Sequence, residues 1–331
     1  MEKAVKRIGI LTSGGDAPGM NAAVRAVVRT ATALGIECVG IRRGYQGLIN
    51  GDFVKLDASS VSHIIHKGGT MLYTARSQEF TTREGREKAL GTCKLLGLDG
   101  IVTIGGDGTF RGALALSRQA AEHGNELQVV GIPATIDNDI GCSHYTIGFD
   151  TACNTAVECV DKLRDTMQSH ARCSVVEVMG RHAGYLALCV GIAVGATAVL
   201  IPEREFDFER DVAEPIRKSR LAGVTHFMVV VAEGVGSAVE ISKRIQEEIG
   251  IDPRVTVLGH IQRGGTPSSR DRETASRMGY EAVQSLVAGR GNRVIATQEG
   301  SIVNLDMEEA LAMTKPFVMD RYDVLEALSR H

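Results

Sequence analysis

Short apolar runs alternate along this chain with longer stretches in which apolar residues recur at helical spacing. Ile8-Gly9-Ile10-Leu11 predicts a buried strand, Met20 to Leu34 an amphipathic helix, and Val39-Gly40-Ile41 the next strand. The rhythm recurs with a helix over Thr82 to Leu96, a strand over Gly100 to Ile104, a helix over Phe110 to Ala121 and a strand over Val129 to Ile132. A long helix is predicted from Phe149 to Gln168, and a small-residue-rich buried helix from His182 to Val194. Between and after these helices, Ser174 to Val178, Phe227 to Val231 and Val255 to Leu258 read as strands. Strand, turn, helix, strand is the βαβ pattern of a parallel sheet, so the fold class is α/β. No low-complexity linker marks a domain boundary; a soft one falls near Tyr145 to Phe149, with a return near Arg263.

The unusual residues sit where strands end, the edge at which open α/β sheets bind ligands. Gly105-Gly106-Asp107-Gly108-Thr109 follows one strand and opens a helix. Its glycines let backbone approach an anion, and the free N–H groups of the helix point at it. An aspartate there makes sense if it holds Mg²⁺ that bridges phosphates. The same turn occurs in NAD kinases and lipid kinases, so alone it names no substrate. Pro133-Ala134-Thr135-Ile136-Asp137-Asn138-Asp139 follows the next strand. An aspartate ionised at neutral pH can take a proton from an attacking hydroxyl, with Asp137 as the base; the rival reading is an Asx-rich turn. A third turn, Thr12-Ser13-Gly14-Gly15-Asp16, is neither a Walker A nor a dinucleotide fingerprint.

Composition narrows the classes. The chain has 331 residues, a length that suits two domains or one domain with a large insertion, and its formal net charge of −3 offers no basic field for nucleic acid or membrane. Against that background the arginines at strand and loop ends, Arg76, Arg172, Arg181, Arg254 and Arg263, read as local anion sites, with His260 beside the last. Seven cysteines, an odd number with no C-x-x-C pair, argue against a disulfide framework and a structural zinc, and fit a reduced cytoplasmic protein. The charged stretch Met1 to Arg7 leads into the first strand without a signal-peptide pattern, and no apolar run reaches the ~18 residues of a membrane helix.

Together these motifs resemble the bacterial ATP-dependent 6-phosphofructokinases. The pattern runs from the first turn through Met20-Asn21-Ala22-Ala23, Gly68-Gly69-Thr70 and Leu72 to Arg76, then Gly105 to Thr109, Thr135 to Asp139 and Ile147 to Ala152. It continues through Met179 to Gly184, Ala232-Glu233-Gly234 and Val257 to Gly265, so that it spans nearly the whole chain. The resemblance implies two Rossmann-like three-layer domains with mostly parallel sheets and an active site in the cleft between them. The larger, ATP-binding domain takes residues 1–148 and about 262–312, and the smaller, sugar-phosphate-binding domain takes residues 149–261 and about 313–331.

The resemblance further implies an allosteric, cytoplasmic homotetramer that moves a phosphoryl group from ATP to the 1-hydroxyl of fructose 6-phosphate, the committed step of glycolysis. Gly15, Arg76, Ser77, Gly106, Asp107, Gly108 and Thr109 would bind ATP, with Asp107 at Mg²⁺. Asp137 would be the base, flanked by Thr135 and Ile136, and Asp139 would assist at the metal or its waters. Met179, Gly180, Arg181 and Glu233 would hold the sugar, Arg181 also facing the phosphoryl group. The run His260, Ile261, Gln262, Arg263 would hold the 6-phosphate, with Arg172 and Arg254 from a neighbouring subunit.

Two further expectations follow. Pyrophosphate-dependent relatives carry an aspartate at the position of Gly108 and a lysine at that of Ala134; small neutral residues at both leave room for ATP, and the pyrophosphate-dependent enzyme is the alternative. At the family's effector site Arg25, Arg29 and Arg164 match, but Thr197 replaces a metal-binding glutamate, and Ala222 and Val224 replace basic residues. That predicts weak or altered effector control, unless Lys218 and Arg220 nearby compensate.

Overall fold

A computed structural model describes residues 5–170, 172–317 and 319–329. Residues 1–4 of the charged lead-in, and positions 171, 318, 330 and 331, lie outside the described residues. The elements in chain order are β1 (Arg7–Thr12), α1 (Met20–Ala33), β2 (Glu37–Ile41), α2 (Gly44–Asn50), β3 (Phe53–Leu56), α3 (Arg83–Leu96), β4 (Gly100–Gly105), α4 (Asp107–Glu122) and β5 (Gln128–Pro133). Next come α5 (Phe149–His170), β6 (Cys173–Val178), α6 (Tyr185–Ala193), β7 (Ala198–Leu200), α7 (Glu214–Leu221), β8 (Phe227–Ala232), α8 (Ala238–Ile249) and β9 (Pro253–Val257). The last are α9 (Ser269–Val287), β10 (Arg293–Gln298), β11 (Ser301–Asp306), α10 (Met307–Ala312) and α11 (Asp320–Ser329).

The chain forms two compact units. The first comprises Met1–Thr135, Ile140–Asp150 and Arg263–Lys315. Its sheet has the order β11-β10-β5-β4-β1-β2-β3, parallel except for the edge strands β3 and β11. Strands β1, β4 and β5 are buried almost along their whole length, as parallel strands covered on both faces require. α1 packs with α9 over one face. The other face carries a core of Leu11, Ile41, Leu48, Phe80, Phe110 and Leu116, drawn from the sheet, from α2 and α4 and, for Phe80, from the 3₁₀ turn before α3. Gly131 is obligatory beneath that core, since a Cβ there would lie 2.6 Å from the Phe110 ring.

The second unit comprises Ile136–Asp139, Thr151–Gln262 and Pro316–His331. Its sheet has the order β7-β8-β6-β9, all parallel. Val175, Val229 and Val231 of the sheet pack with Ile216 of α7 and Ile241 and Ile245 of α8. The acidic stretch is therefore divided: Thr135 belongs to the first unit, and Ile136 to Asp139 to the second.

The predicted strands form within a residue or two of their expected ends. Two helices differ in a way that matters to chemistry. α4 begins at Asp107 rather than Phe110, so Asp107 lies in the first turn of a helix whose N-cap, Gly106, offers no side-chain cap. α6 begins at Tyr185 rather than His182, because Met179 to Gly184 forms a loop held by carboxylates.

Candidate active site

In the first unit three turns leave neighbouring strands at their carboxyl ends. β1 lies beside β4 with Thr12 opposite Ile104, and β4 beside β5 with Gly105 opposite Pro133. Backbone bonds join the turns: Ser13 N–H donates to the Ile104 carbonyl at 3.0 Å, and Ala134 N–H to the Gly105 carbonyl at 3.0 Å. The Thr109 hydroxyl donates to the Ser13 carbonyl at 3.2 Å, and a Cβ on Gly105 would collide with that carbonyl at 2.3 Å. By contrast, nothing lies within 4 Å of where a Cβ on Gly106 or Gly108 would stand. The glycines beside Asp107 thus open onto free space at the N-terminus of α4, where a phosphate chain can meet backbone N–H groups.

Other predicted nucleotide residues sit nearby in the same unit. The Ser77 hydroxyl donates to Gln46 Oε1 at 2.8 Å and accepts from Phe80 N–H, while Arg76 is exposed. Gly15 packs against Arg263: a Cβ there would come within 2.0 Å of Arg263 Nη1. The Arg263 guanidinium also lies 3.8 Å from Asp16 Oδ1. So Arg263 belongs to the first unit and faces the first glycine turn, whereas His260, Ile261 and Gln262 belong to the second.

In the second unit the site residues leave β6, β8 and β9, which are adjacent. Glu233, just past β8, accepts from Gly180 N–H at 3.2 Å and Arg181 N–H at 2.7 Å. Glu203 accepts from Gly184 N–H at 2.8 Å. These two carboxylates fix a loop whose Arg181 has a left-handed backbone (φ 54°), a conformation that persists only where neighbours over-determine it. Arg181 Nε then lies 3.8 Å from Asp137 Oδ2, with the carboxylate buried and the guanidinium half exposed. Asn138, between the two acids, is also left-handed, at φ 52°. Asp139 is exposed, and with Glu203 it bears on Tyr185, whose hydroxyl burial pushes up to about 12, aided by both acids.

The remaining predicted residues are spread over β6, β9 and the 3₁₀ turn after β9. Gln262 is fully buried, and neither end of its amide has a partner among the described residues. His260 and Ile261 are exposed. Arg254 is held by Asp252, with Nη2 3.0 Å from Oδ2, and Arg172 is half-buried at the entry to β6. Of the effector-site matches, Arg29 donates to the Ser62 hydroxyl at 3.3 Å, and Arg25 lies one turn earlier on α1. The Arg164 guanidinium donates to the Val194 carbonyl.

The described residues contain no group of three or more His, Cys, Asp or Glu placed to hold a metal. Asp107 is a single carboxylate beside open space. That donor set suits Mg²⁺, which keeps several waters and takes one or two carboxylates plus substrate phosphates.

Sequence reasoning did not single out Glu203, which holds the Gly184 N–H, or the pair Tyr145 and Asp271, the second of which accepts from the Tyr145 hydroxyl and the Gly148 N–H. One signal was available for Asp271: Ser268-Ser269-Arg270-Asp271 is a capping-box pattern, and it marks the start of α9.

Glycine turns at the ends of parallel strands, a carboxylate at a helix N-terminus and a buried aspartate facing an arginine define an α/β phosphotransferase. The chain belongs to the phosphofructokinase family, whose model (Phosphofructokinase) matches residues 7–286. The chain is 50% identical over 326 residues to an ATP-dependent 6-phosphofructokinase of Clostridium botulinum strain Hall, covering 98% of this chain and all of that protein. It is 49% identical over 325 residues to a protein of that name from Clostridium novyi, also covering 98% of this chain and all of the relative. Among solved structures, phosphofructokinase from Saccharomyces cerevisiae matches with a TM-score of 0.86 and 35% identity over 98% of this chain; the chain spans 46% of that longer one. A pyrophosphate-dependent phosphofructokinase from Marinobacter aquaeolei matches at a TM-score of 0.85 and 22% identity over 99% of this chain and 92% of its own, a likeness of fold. No helix among the described residues is long and apolar enough to cross a membrane.

Proposed function

We propose that the protein is an ATP-dependent 6-phosphofructokinase: it transfers the γ-phosphoryl group of ATP to the 1-hydroxyl of fructose 6-phosphate, giving fructose 1,6-bisphosphate and ADP. The observation that carries this reading is Asp137, buried in the second unit with Arg181 Nε 3.8 Å from its carboxylate. In the proposed reaction Asp137 accepts the proton of the 1-hydroxyl as that oxygen bonds to the γ-phosphorus. The bond from phosphorus to the bridging oxygen breaks and ADP leaves. Arg181 stabilises charge on the transferring oxygens.

ATP lies along the first unit, on Gly15, Arg76, Ser77 and the turn Gly106 to Thr109. Its phosphates meet the uncapped start of α4, and Asp107 is the residue that would hold Mg²⁺, assisted by Asp139. Bound there, the ion would neutralise phosphate charge. Thr135 and Ile136 flank the base, while Met179, Gly180, Arg181 and Glu233 hold the sugar. His260, Ile261, Gln262 and Arg263 take the 6-phosphate, joined by Arg172 and Arg254 of a neighbouring subunit in a homotetramer.

Incubation with ATP, Mg²⁺ and fructose 6-phosphate tests the function. ADP and fructose 1,6-bisphosphate in equal amounts are expected, and no product from fructose 6-phosphate refutes it. A species of four chains in sedimentation is expected alongside, and a monomer with full activity would rule out the shared site.

A further inference from the structure

We infer that Asp271 is a positioning residue for this reaction: through Tyr145 and Gly148 it fixes the backbone from which the Asp137 loop springs. The inference rests on the reading of Asp137 as the base.

Asp271 is fully buried in the first turn of α9. Its Oδ1 accepts from the Tyr145 hydroxyl, and from Gly148 N–H at 2.7 Å. Tyr145 is held at its other atoms too. Its N–H donates to Thr297 Oγ1 at 3.0 Å, its carbonyl accepts from the Ser143 hydroxyl at 2.6 Å, and the Arg270 guanidinium lies 4.2 Å over its ring. Arg270 Nη1 is in turn 3.9 Å from Asp150. The segment from Tyr145 to Gly148 is therefore clamped at both ends by one carboxylate.

Between those ends the segment grips the end of β5. The Thr146 hydroxyl donates to the Thr135 carbonyl at 2.7 Å. Ile147 N–H donates to the Pro133 carbonyl at 3.1 Å, and Ile147 pairs with Ala134 as an isolated parallel bridge. Gly148 adopts φ 103°, a left-handed backbone that favours glycine. Two hydrogen bonds, joined through the Tyr145–Thr146 peptide, thus lead from Asp271 to the Thr135 carbonyl, two residues before Asp137.

Burying a carboxylate completely costs folding free energy that an apolar side chain of the same size would avoid. What the carboxylate supplies is direction, since two donors aimed at one oxygen fix two points of a backbone segment. A base two residues along the chain needs that precision, because a displacement of ~1 Å can cost on the order of 100-fold in rate.

Tyr145→Phe tests this, since it keeps the ring and removes one hydroxyl. Relative to the parent enzyme, kcat is expected to fall ~10-fold while KM for ATP and for fructose 6-phosphate each change less than ~2-fold. In an Asp137→Ser background the same change should lower the residual rate by less than ~2-fold, because the residue it positions is gone. Asp271→Asn should show the same pattern with a deeper loss of kcat, and if that variant does not fold, Tyr145→Phe decides alone. An unchanged kcat in Tyr145→Phe, or the same fractional loss in both backgrounds, overturns the positioning role and leaves Asp137 as the base. Unchanged turnover in Asp137→Ser itself would overturn the base, and this inference with it.

Discussion

Arg181 Nε and Asp137 Oδ2 lie 3.8 Å apart, and the two side chains differ tenfold or nearly so in exposure, 53% for the guanidinium against 6% for the carboxylate. The distance is long for a hydrogen bond, so this ion pair is close without being locked. In the proposed reaction that spacing leaves the carboxylate oxygen open to accept the substrate proton, which a tight bidentate pair would have occupied.

Asp137→Ser should therefore lower kcat by about 10²–10⁴-fold, the usual size of a positioned base, and move KM for fructose 6-phosphate far less. Steady-state kinetics with ATP and Mg²⁺ in excess reads both numbers. A larger effect on KM than on kcat would make Asp137 a binding residue.

Stability in acid should depend on Asp211, which is buried beside α7. Burial by itself works to raise its pKa, but hydrogen bonds from Arg210 and the Asp207 N–H, with the positive charges of Arg204 and Arg210, together hold its carboxyl below the usual value of 3.8. A lowered folded pKa contributes stability above the unfolded value, and that contribution is lost as pH falls through the folded one. At neutral pH, Asp211→Asn should cost about 1–3 kcal/mol, because it strips the Arg210 and Arg204 guanidiniums of a shared partner. Denaturant melts from pH 7 to pH 2 should show the gap from the parent protein closing below pH 3.8. A gap that stays constant with pH would mean that packing, not charge, sets Asp211's contribution.

Much of this was legible in sequence because the parallel strands are short, apolar and followed by glycine turns. Gly105 and Pro133 end adjacent strands, and the motifs at Asp107 and Asp137 follow directly from them. The divided acidic stretch was not legible: nothing in Thr135-Ile136 says that the chain changes units between them. Nor was the placement of Arg263. It reads with His260 and Gln262 as one cluster, yet its guanidinium packs against Gly15, some 250 residues earlier, because the chain returns to the first unit at that residue. Asp271 was hidden for a related reason: in sequence it is a helix-cap acid, and its full burial comes from segments far away.

Effector control should be weak. Thr197 stands where the family resemblance calls for a metal-binding glutamate, and its hydroxyl already accepts from Met228 N–H at 3.2 Å. Arg164 is engaged with the Val194 carbonyl, and Lys218 pairs with Glu214, so neither offers an idle cation. Phosphoenolpyruvate and ADP, added separately to saturation curves for fructose 6-phosphate, should shift half-saturation less than ~5-fold, below the usual range of allosteric coupling. Strong inhibition by phosphoenolpyruvate that ADP relieves would show that other residues rebuild the site.

The choice of phosphoryl donor should turn on Gly108. It is exposed in the first turn of α4, and nothing lies within 4 Å of where a Cβ would stand. Gly108→Asp therefore meets no steric obstacle, and an acid in the first turn of a helix favours its dipole. Thermal stability should be unchanged or slightly raised. The same carboxylate would stand in the space proposed for the ATP phosphates and repel them, so kcat/KM for ATP should fall at least ~10-fold. Ala134, buried with its N–H on the Gly105 carbonyl, is likewise small and neutral. Parallel assays of the parent enzyme and Gly108→Asp with ATP and with pyrophosphate, each with Mg²⁺, separate the outcomes. The parent should be faster with ATP, and the variant should lose ATP-dependent rate without losing its melting temperature. A parent enzyme faster with pyrophosphate, or a stable variant that retains full activity with ATP, would show that this turn does not select the donor.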